Sequence, residues 1–512
     1  MIESTPQAAT DTSVTNEEPQ DSSLPDHDRL PQVLGLFDAT MIVVGSIIGS
    51  GIFLKVSKVD TALGVYGFGA IIGTWAFVGV ITLCGSLALA ELGAMFPHAG
   101  GPYLYIREAY GRLPAFLWGW TEFWVMRTAS VGALACATVV YFNELCPLSP
   151  LGQTGLAIGI ILGLGFVNML STRIGAGVQS IATVTKVSFL AALIVLPWVM
   201  GRGNLQHLQP LWIPEGKEAS GLAFFRAVGV AMVAVMWPYD GWINLGPVAE
   251  DIRNPNRNVP RAMALGLGLV IFVYLGANLS YHYVLPIEHL SNSTTVAADV
   301  FQKLFGSTGA QIAALGVMIS TFGATNSNMI TGPRIYLAIA RDGLVPRWLQ
   351  RIHPRFRTPV NTILIQIVWA TFLVLLFSFW NPQGTTAAPS PSGEATLILS
   401  DSEISLAHAR RMKDAFDNLT DAVICAGLIF YGLAVSSVYV LRRSRPTANR
   451  PYRTWGYPIT PALLLAAYFG AFISVMNSQA TQSTGVLAVI GAGVVYYIWV
   501  KRIQRRQTQS ST

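Results

Sequence analysis

Residues 44–53 read Val44-Gly45-Ser46-Ile47-Ile48-Gly49-Ser50-Gly51-Ile52-Phe53, and this stretch decides the fold. It lies inside an apolar run, 36–58, long enough to cross a bilayer, yet its Gly-Ser-Gly centre is poor helix. A second run, 223–249, carries Trp237-Pro238-Tyr239-Asp240-Gly241-Trp242 at its middle, which reads as a turn. Unwound backbone is tolerated at membrane depth only where it faces protein or a cavity. Gly45 and Gly49 alone would point to close helix packing. Two matching breaks point to a site.

The rest of the chain agrees with a membrane protein. Of its 512 residues 52 % are hydrophobic and 12 % charged, where soluble proteins carry roughly 25 % charged residues. So few charges cannot cover a water-facing surface, which excludes a soluble enzyme, a nucleic-acid binder and a disulfide scaffold. Spanning runs fall at 36–58, 66–95, 115–142, 155–172, 178–200, 223–249, 261–285, 309–338, 360–380, 417–441, 459–477 and 485–500. Twelve spans need about 240 apolar positions at about 20 each, and this composition supplies them. The breaks fall in the first and sixth runs, equivalent places in two five-span halves, which is the pattern of a midplane site between inverted repeats.

An even number of spans puts both termini on one side. With the termini inside, 22 of the 33 Lys and Arg fall in inner segments, nine in outer segments and two, Arg127 and Lys186, within spans. The positive-inside rule therefore places both termini in the cytoplasm of a multi-pass protein of the cell (inner) membrane. The net charge of +6 is spread over these short clusters and forms no nucleic-acid-binding patch. The expected organisation is a disordered acidic tail at 1–32, a first five-helix repeat at 33–200 and a second, inverted repeat at 223–441. Two additional helices at 459–500 and a basic tail at 501–512 complete it. Residues 381–413, rich in Pro, Ser, Thr and Ala, read as a polar outer loop.

The breaks imply a chemistry. An unwound first span presents the N–H groups of Ser50, Gly51 and Ile52 at a half-helix N-terminus, where partial positive charge favours a carboxylate. Freed carbonyls near Ser46, Ile47, Trp237 and Asp240 can accept from an ammonium. Together they suit the head of an α-amino acid, and Gly49, Tyr239 and Gly241 complete the candidate substrate site. Trp237 either covers the substrate or is a packing aromatic; Asp240 either meets a cationic side chain or caps the lower half of the sixth span. Lys186, in Thr183-Val184-Thr185-Lys186-Val187-Ser188 of the fifth span, either replaces a bound cation and braces that span against the first break, or snorkels to the inner interface. Glu122 and Arg127 of the third span are a candidate ion pair. The four cysteines have no metal-ligand spacing, His98 and His282 stand alone, and no catalytic constellation or GxSxG is present, so neither an enzyme, a metal nor a cofactor is expected.

The segments Gly45 to Phe53, Trp237 to Arg261 (WPYDGWINLGPVAEDIRNPNRNVPR) and Gly332 to Pro359 (GPRIYLAIARDGLVPRWLQRIHPRFRTP) resemble the L-type amino acid transporters of the amino acid-polyamine-organocation superfamily. The resemblance covers nearly all of Gly35 to Lys501. It implies an all-α polytopic protein of twelve transmembrane helices with the leucine-transporter fold: a 5+5 inverted repeat, discontinuous helices 1 and 6, substrate between them, and alternating access by rocking of one bundle. It implies that Trp237 is a gate over the substrate. It also makes Lys186 the stand-in for a sodium ion, facing Ser320 and Thr321 of the eighth span, hence sodium independence. Asp240 stands where several members have a small residue and some that accept cationic amino acids have Asp. Cys146 matches the position at which animal members are disulfide-linked to a glycoprotein heavy chain; nothing else implies that partner, and a free thiol is expected. The expected function is sodium-independent transport of L-amino acids, neutral and cationic, by exchange or proton symport. Polyamine transport and non-transporting amino acid sensing are the alternatives.

Overall fold

Glycine and proline place the interruptions of the membrane helices. In the computed structural model, which describes residues 30–212, 221–293, 295–379, 401–478 and 480–510, α1 (Leu36–Ile47) stops where Ile48 turns to extended backbone, and α2 (Gly51–Leu54) resumes after Ser50. The chain continues through α3 (Val56–Leu63) to α4 (Phe68–Met95), whose start follows Gly67 in a positive-φ turn. After α5 (Pro102–Tyr110), the third span is built from α6 (Arg112–Thr121), one π-helical stretch (Glu122–Arg127) and α7 (Thr128–Leu145). α8 (Pro150–Leu170) and α9 (Thr172–Val199) begin at serine caps, Ser149 accepting from the Gly152 N–H at 3.2 Å and Ser171 from those of Arg173 and Ile174.

The sixth span is α10 (Gly221–Tyr239), broken at Asp240 and Gly241 and continued as a 3₁₀ segment (Trp242–Asp251). Then follow α11 (Pro255–Val284), the short α12 (Ile287–Asn292) and α13 (Val296–Phe305), α14 (Ser307–Arg341), α15 (Val360–Phe379), α16 (Asp401–Ser444), α17 (Ile459–Ser478) and α18 (Ala480–Ser510). Among the described residues there is no strand, only a parallel bridge between Leu34 and Ile252. Among the described residues, ten helical segments are long and apolar enough to cross a membrane. α14 and α15 occupy the eighth and ninth expected runs. α14 is less apolar because its polar stretch, Ser320 to Asn328, and Arg334 are buried inside the bundle.

Residues 1–29 of the expected acidic tail and 381–400 of the expected loop lie outside the described residues. At 401–413 the loop reading is corrected, because α16 begins at Asp401. The run Leu406 to Lys413 is dominated by good helix formers, Leu, Ala, Arg, Met and Lys, and this local propensity overrides its polarity.

Buried polar side chains tie the helices together. Asn168 of α8 donates to the Asn326 side chain of α14 (2.8 Å), which donates to Gln179 of α9 (3.1 Å); Thr183, one turn on, donates to the Met41 carbonyl of α1 (3.2 Å). Each donor here has a partner, as burial demands. At the end of the bundle carrying the N-terminus, Leu34 N–H donates to the Asp251 carbonyl (2.9 Å), and Leu30 and Ala99 N–H donate to the two carboxylate oxygens of Glu250 (2.9 and 2.8 Å). Arg341 holds Glu250 at 2.8 Å and Arg334 holds Asp251 at 3.1 Å. The chain entering the first span is thus stitched to the chain leaving the sixth.

Candidate functional site

The two helix breaks interlock backbone to backbone. A methyl group placed on Gly51 would come within 2.6 Å of the Pro238 Cα, and one on Gly241 within 2.6 Å of the Ser46 carbonyl oxygen. Gly241 also sits at φ +99°, where a side chain is strained. The Tyr274 hydroxyl, from α11, lies between the two breaks, 3.1 Å from the Ile47 carbonyl oxygen and 2.9 Å from that of Pro238. Ser46 is hydrogen-bonded through its hydroxyl to Ser327 of α14. Ser50 is buried, and its hydroxyl has no partner among the described residues.

Lys186 lies at the first break and does not snorkel. Its side chain is fully buried, and Nζ donates to the carbonyl oxygens of Ile48 (2.5 Å) and Gly45 (2.9 Å) in α1 and its break, and to that of Ser320 (3.3 Å) in α14. The Ser320 hydroxyl donates to the Gly49 carbonyl at 3.0 Å. Carbonyls that a helix would satisfy internally are satisfied here by an ammonium and a hydroxyl from two other helices. Thr321 is a correction: its hydroxyl turns to Thr138 of α7 (2.8 Å) and to its own helix, not to Lys186. Gly45 packs against Gln179 and Thr183 too closely for any side chain, so its role is close helix contact.

Around the second break, successive side chains leave in three directions. Trp237 packs with Leu54 against Ala133 and Ala137 of α7, just beyond the break. Tyr239 points into α4 and α11, its ring 6.2 Å from Trp75 and 5.1 Å from Tyr274. Asp240 accepts from the Tyr431 hydroxyl of α16 at 3.0 Å. The carboxylate borders a cavity of about 20 Å³ shared with Thr82, Tyr239, Trp242, Tyr431 and Tyr468, room for about one water. Nearby, the π-helical stretch brings Glu122 and Arg127, five residues apart, onto one face: Arg127 holds Glu122 at 3.0 Å and donates to the Asn328 side chain at 2.6 Å.

The geometry is a junction of two broken helices with fixed carbonyls, one ammonium and one carboxylate, and no group of three or more potential metal ligands among the described residues. Residues 34–496 match the sequence model of the amino acid permease family. The chain belongs to that family. It is 30 % identical over 489 residues to the serine/threonine exchanger SteT of Bacillus subtilis (strain 168), an alignment covering 92 % of this chain and 98 % of that one. It is 28 % identical over 508 residues to the b(0,+)-type amino acid transporter 1 of Homo sapiens (96 % and 93 %) and 30 % identical over 479 residues to the large neutral amino acids transporter small subunit 2 of Rattus norvegicus (92 % and 81 %). The protein is an amino acid transporter of the membrane and not an enzyme.

Some of this permease's central features have no signal in the sequence. Tyr274 reads as one more aromatic in an apolar run, yet it bridges both breaks. His282 reads as solitary, and here the expectation is corrected: its Nε2 lies 3.3 Å from the Asp60 carboxylate, with both side chains fully buried. Residues 222 positions apart meet only in three dimensions. Cys146, at the end of α7, is a free, exposed thiol.

Proposed function

We propose that this permease is a sodium-independent exchanger of L-amino acids, neutral and, through Asp240, cationic. It works by alternating access across twelve spans arranged as two inverted five-helix repeats, 33–200 and 223–441. Both termini are cytoplasmic, the membrane is the plasma or inner membrane, and no heavy-chain subunit is attached at Cys146. The observation that carries the reading is the Lys186 ammonium between the Ile48 and Gly45 carbonyl oxygens at the break of the first span. A fixed positive charge bound to unwound carbonyls does the work a coupling cation would do, so no dissolved sodium is required. Exchange is supported by the similarity to the Bacillus subtilis relative, a serine/threonine exchanger. The substrate head group is placed between Ser46, Ile47, Gly49, Ser50, Gly51 and Ile52 of the first break and Trp237, Asp240 and Gly241 of the second, with Trp237 as the cover. Tyr239, turned into the aromatic cluster, supports the break rather than the substrate.

Counterflow in proteoliposomes tests this. Labelled serine, threonine, leucine and arginine are offered in choline and in sodium buffer, with and without unlabelled amino acid inside. The reading requires uptake that depends on internal substrate and is equal in the two buffers; uptake into empty vesicles, or only in sodium, sinks it.

A further inference from the structure

An open apolar groove of about 640 Å³ lies where the start of α17 meets the last turns of α16, away from the candidate transport site. Ile459, Ala462, Leu463 and Ala466 line it from α17, and Tyr439 lines it from α16. The four α17 positions recur at helical spacing on one face, and all are exposed. Phe469, 68 % exposed, continues the stripe. Alanine at 462 and 466 leaves space between larger neighbours. Because α17 has the length and composition of a membrane span, what fills that space is hydrocarbon. From Ile459 to Ala466 the groove descends about 10 Å, at about 1.5 Å per residue.

The mouth of the groove is polar and positive. There the Tyr439 hydroxyl donates to the Pro458 carbonyl oxygen, the Arg442 guanidinium lies 3.8 Å over the Tyr457 ring, and Trp455 is 75 % exposed, as aromatic residues are at a membrane interface. Three arginines of this region have carboxylate partners: Arg442 and Arg450 share Glu91 (2.7 and 3.2 Å), and Arg445 holds Glu108 (2.6 Å). Arg443 and Arg453 are exposed and form no ion pair among the described residues. Arg443 is four residues beyond Tyr439 on α16, so it shares the face that borders the groove. Arg453 stands two residues before Trp455 in the segment that leads into α17.

We propose that the α16–α17 groove binds an acyl chain of an anionic phospholipid whose phosphate is held at the mouth by Arg443 and Arg453. The two halves of the site call for the two halves of that molecule. A soluble anion would leave the apolar groove uncovered, and a neutral lipid would leave two positive charges uncompensated. A guanidinium also presents a planar fork of donors that fits phosphate oxygens. Which leaflet supplies the lipid rests on the topology proposed above; the existence of the site does not.

Lipid retention by the purified full-length protein tests this without requiring transport. The protein is delipidated in detergent, offered equal amounts of dioleoyl phosphatidylglycerol and dioleoyl phosphatidylcholine, passed through gel filtration and extracted, and the retained lipids are quantified by mass spectrometry. Wild type should retain phosphatidylglycerol in preference to phosphatidylcholine. Each arginine near an anionic headgroup is worth roughly a fivefold preference, so the double variant Arg443→Gln/Arg453→Gln should lose roughly twentyfold of it. Arg502→Gln/Arg505→Gln, which removes two exposed arginines at the end of α18, should keep it. Ala466→Trp fills the groove and leaves both arginines in place, and it should abolish the preferential retention; Ala462→Trp makes the same test if that variant folds poorly. Equal retention of the two lipids by wild type, an unchanged preference in the mouth variant or the groove-filled variant, or an equal loss in the α18 variant overturns the proposal.

Discussion

Lys186 Nζ lies 2.5 Å from the carbonyl oxygen of Ile48, the residue at which the first membrane helix stops being helical. The ammonium is therefore a structural member of the break, which ties the break to α9.

Replacing Lys186 by alanine removes the donor for the Ile48 and Gly45 carbonyls. Each buried acceptor left unpaired costs about 1–3 kcal/mol, but the vacated side-chain volume admits water that recovers part of it. Initial uptake should fall by roughly tenfold or more, while the melting temperature drops by only a few degrees, as about 1 kcal/mol of lost stability shifts a large domain about 2–4 °C. Wild-type flux in Lys186→Ala would refute the role assigned to it.

Asp240→Asn keeps the Tyr431 contact and deletes the charge. The ratio of arginine to leucine uptake should fall by about thirtyfold or more, the lower end of losing a buried charge partner at ~2 kcal/mol. An unchanged ratio in competition assays would show that Asp240 does not read the substrate side chain.

At the interlock, Gly241→Ala meets both an unfavourable φ and the Ser46 carbonyl 2.6 Å away. The strain is about 1–3 kcal/mol, so the variant should melt several degrees lower and transport poorly. Tyr274→Phe, which leaves the Ile47 and Pro238 carbonyls without their shared donor, should show a smaller loss of the same kind. Normal melting of Gly241→Ala would mean that the breaks do not touch as described.

At the end of the bundle carrying the N-terminus, Arg445 of the segment after α16 holds Glu108 of α5 at 2.6 Å, and Arg107 holds it at 3.0 Å. Burial alone would push the Glu108 carboxyl up; the hydrogen bond from Arg445 and the charge and hydrogen bond of Arg107 hold it below the ordinary carboxylate range. A depressed carboxyl contributes stability above its ordinary value, about 4.3, that is lost as pH falls through the lowered one. Glu108→Gln should therefore melt slightly below wild type at pH 7, and the two curves should merge toward pH 3.5 and draw together in high salt.

Cys146→Ser should transport at the wild-type rate and leave the electrophoretic mobility of the protein unchanged without reductant. A higher band that collapses on reduction of the wild type alone, seen in native membranes, would reveal a disulfide partner.

Much of this architecture is legible in the sequence. Apolar runs of spanning length report burial in lipid directly, because a bilayer leaves backbone no partners outside the helix. Gly49 to Gly51 and Pro238 to Gly241 report where the helix fails, because chain flexibility and a missing N–H are local properties. The family signature in the segments around both breaks was equally local. Lys186 was conspicuous because a lysine in an apolar run always needs a partner.

The partners themselves were decided by the tertiary structure. That Lys186 reaches Ile48 rather than the interface, that Thr321 turns to Thr138, that Tyr274 sits between two carbonyls from different helices and that Asp60 faces His282 all depend on helix rotation and crossing. A helix that turns one face to the bundle and the other to lipid leaves no polar face from which its rotation can be read, since both sides are apolar in sequence. The sequence determined which elements cross the membrane and where two of them break; packing alone determined which side chains satisfy the atoms that the breaks set free.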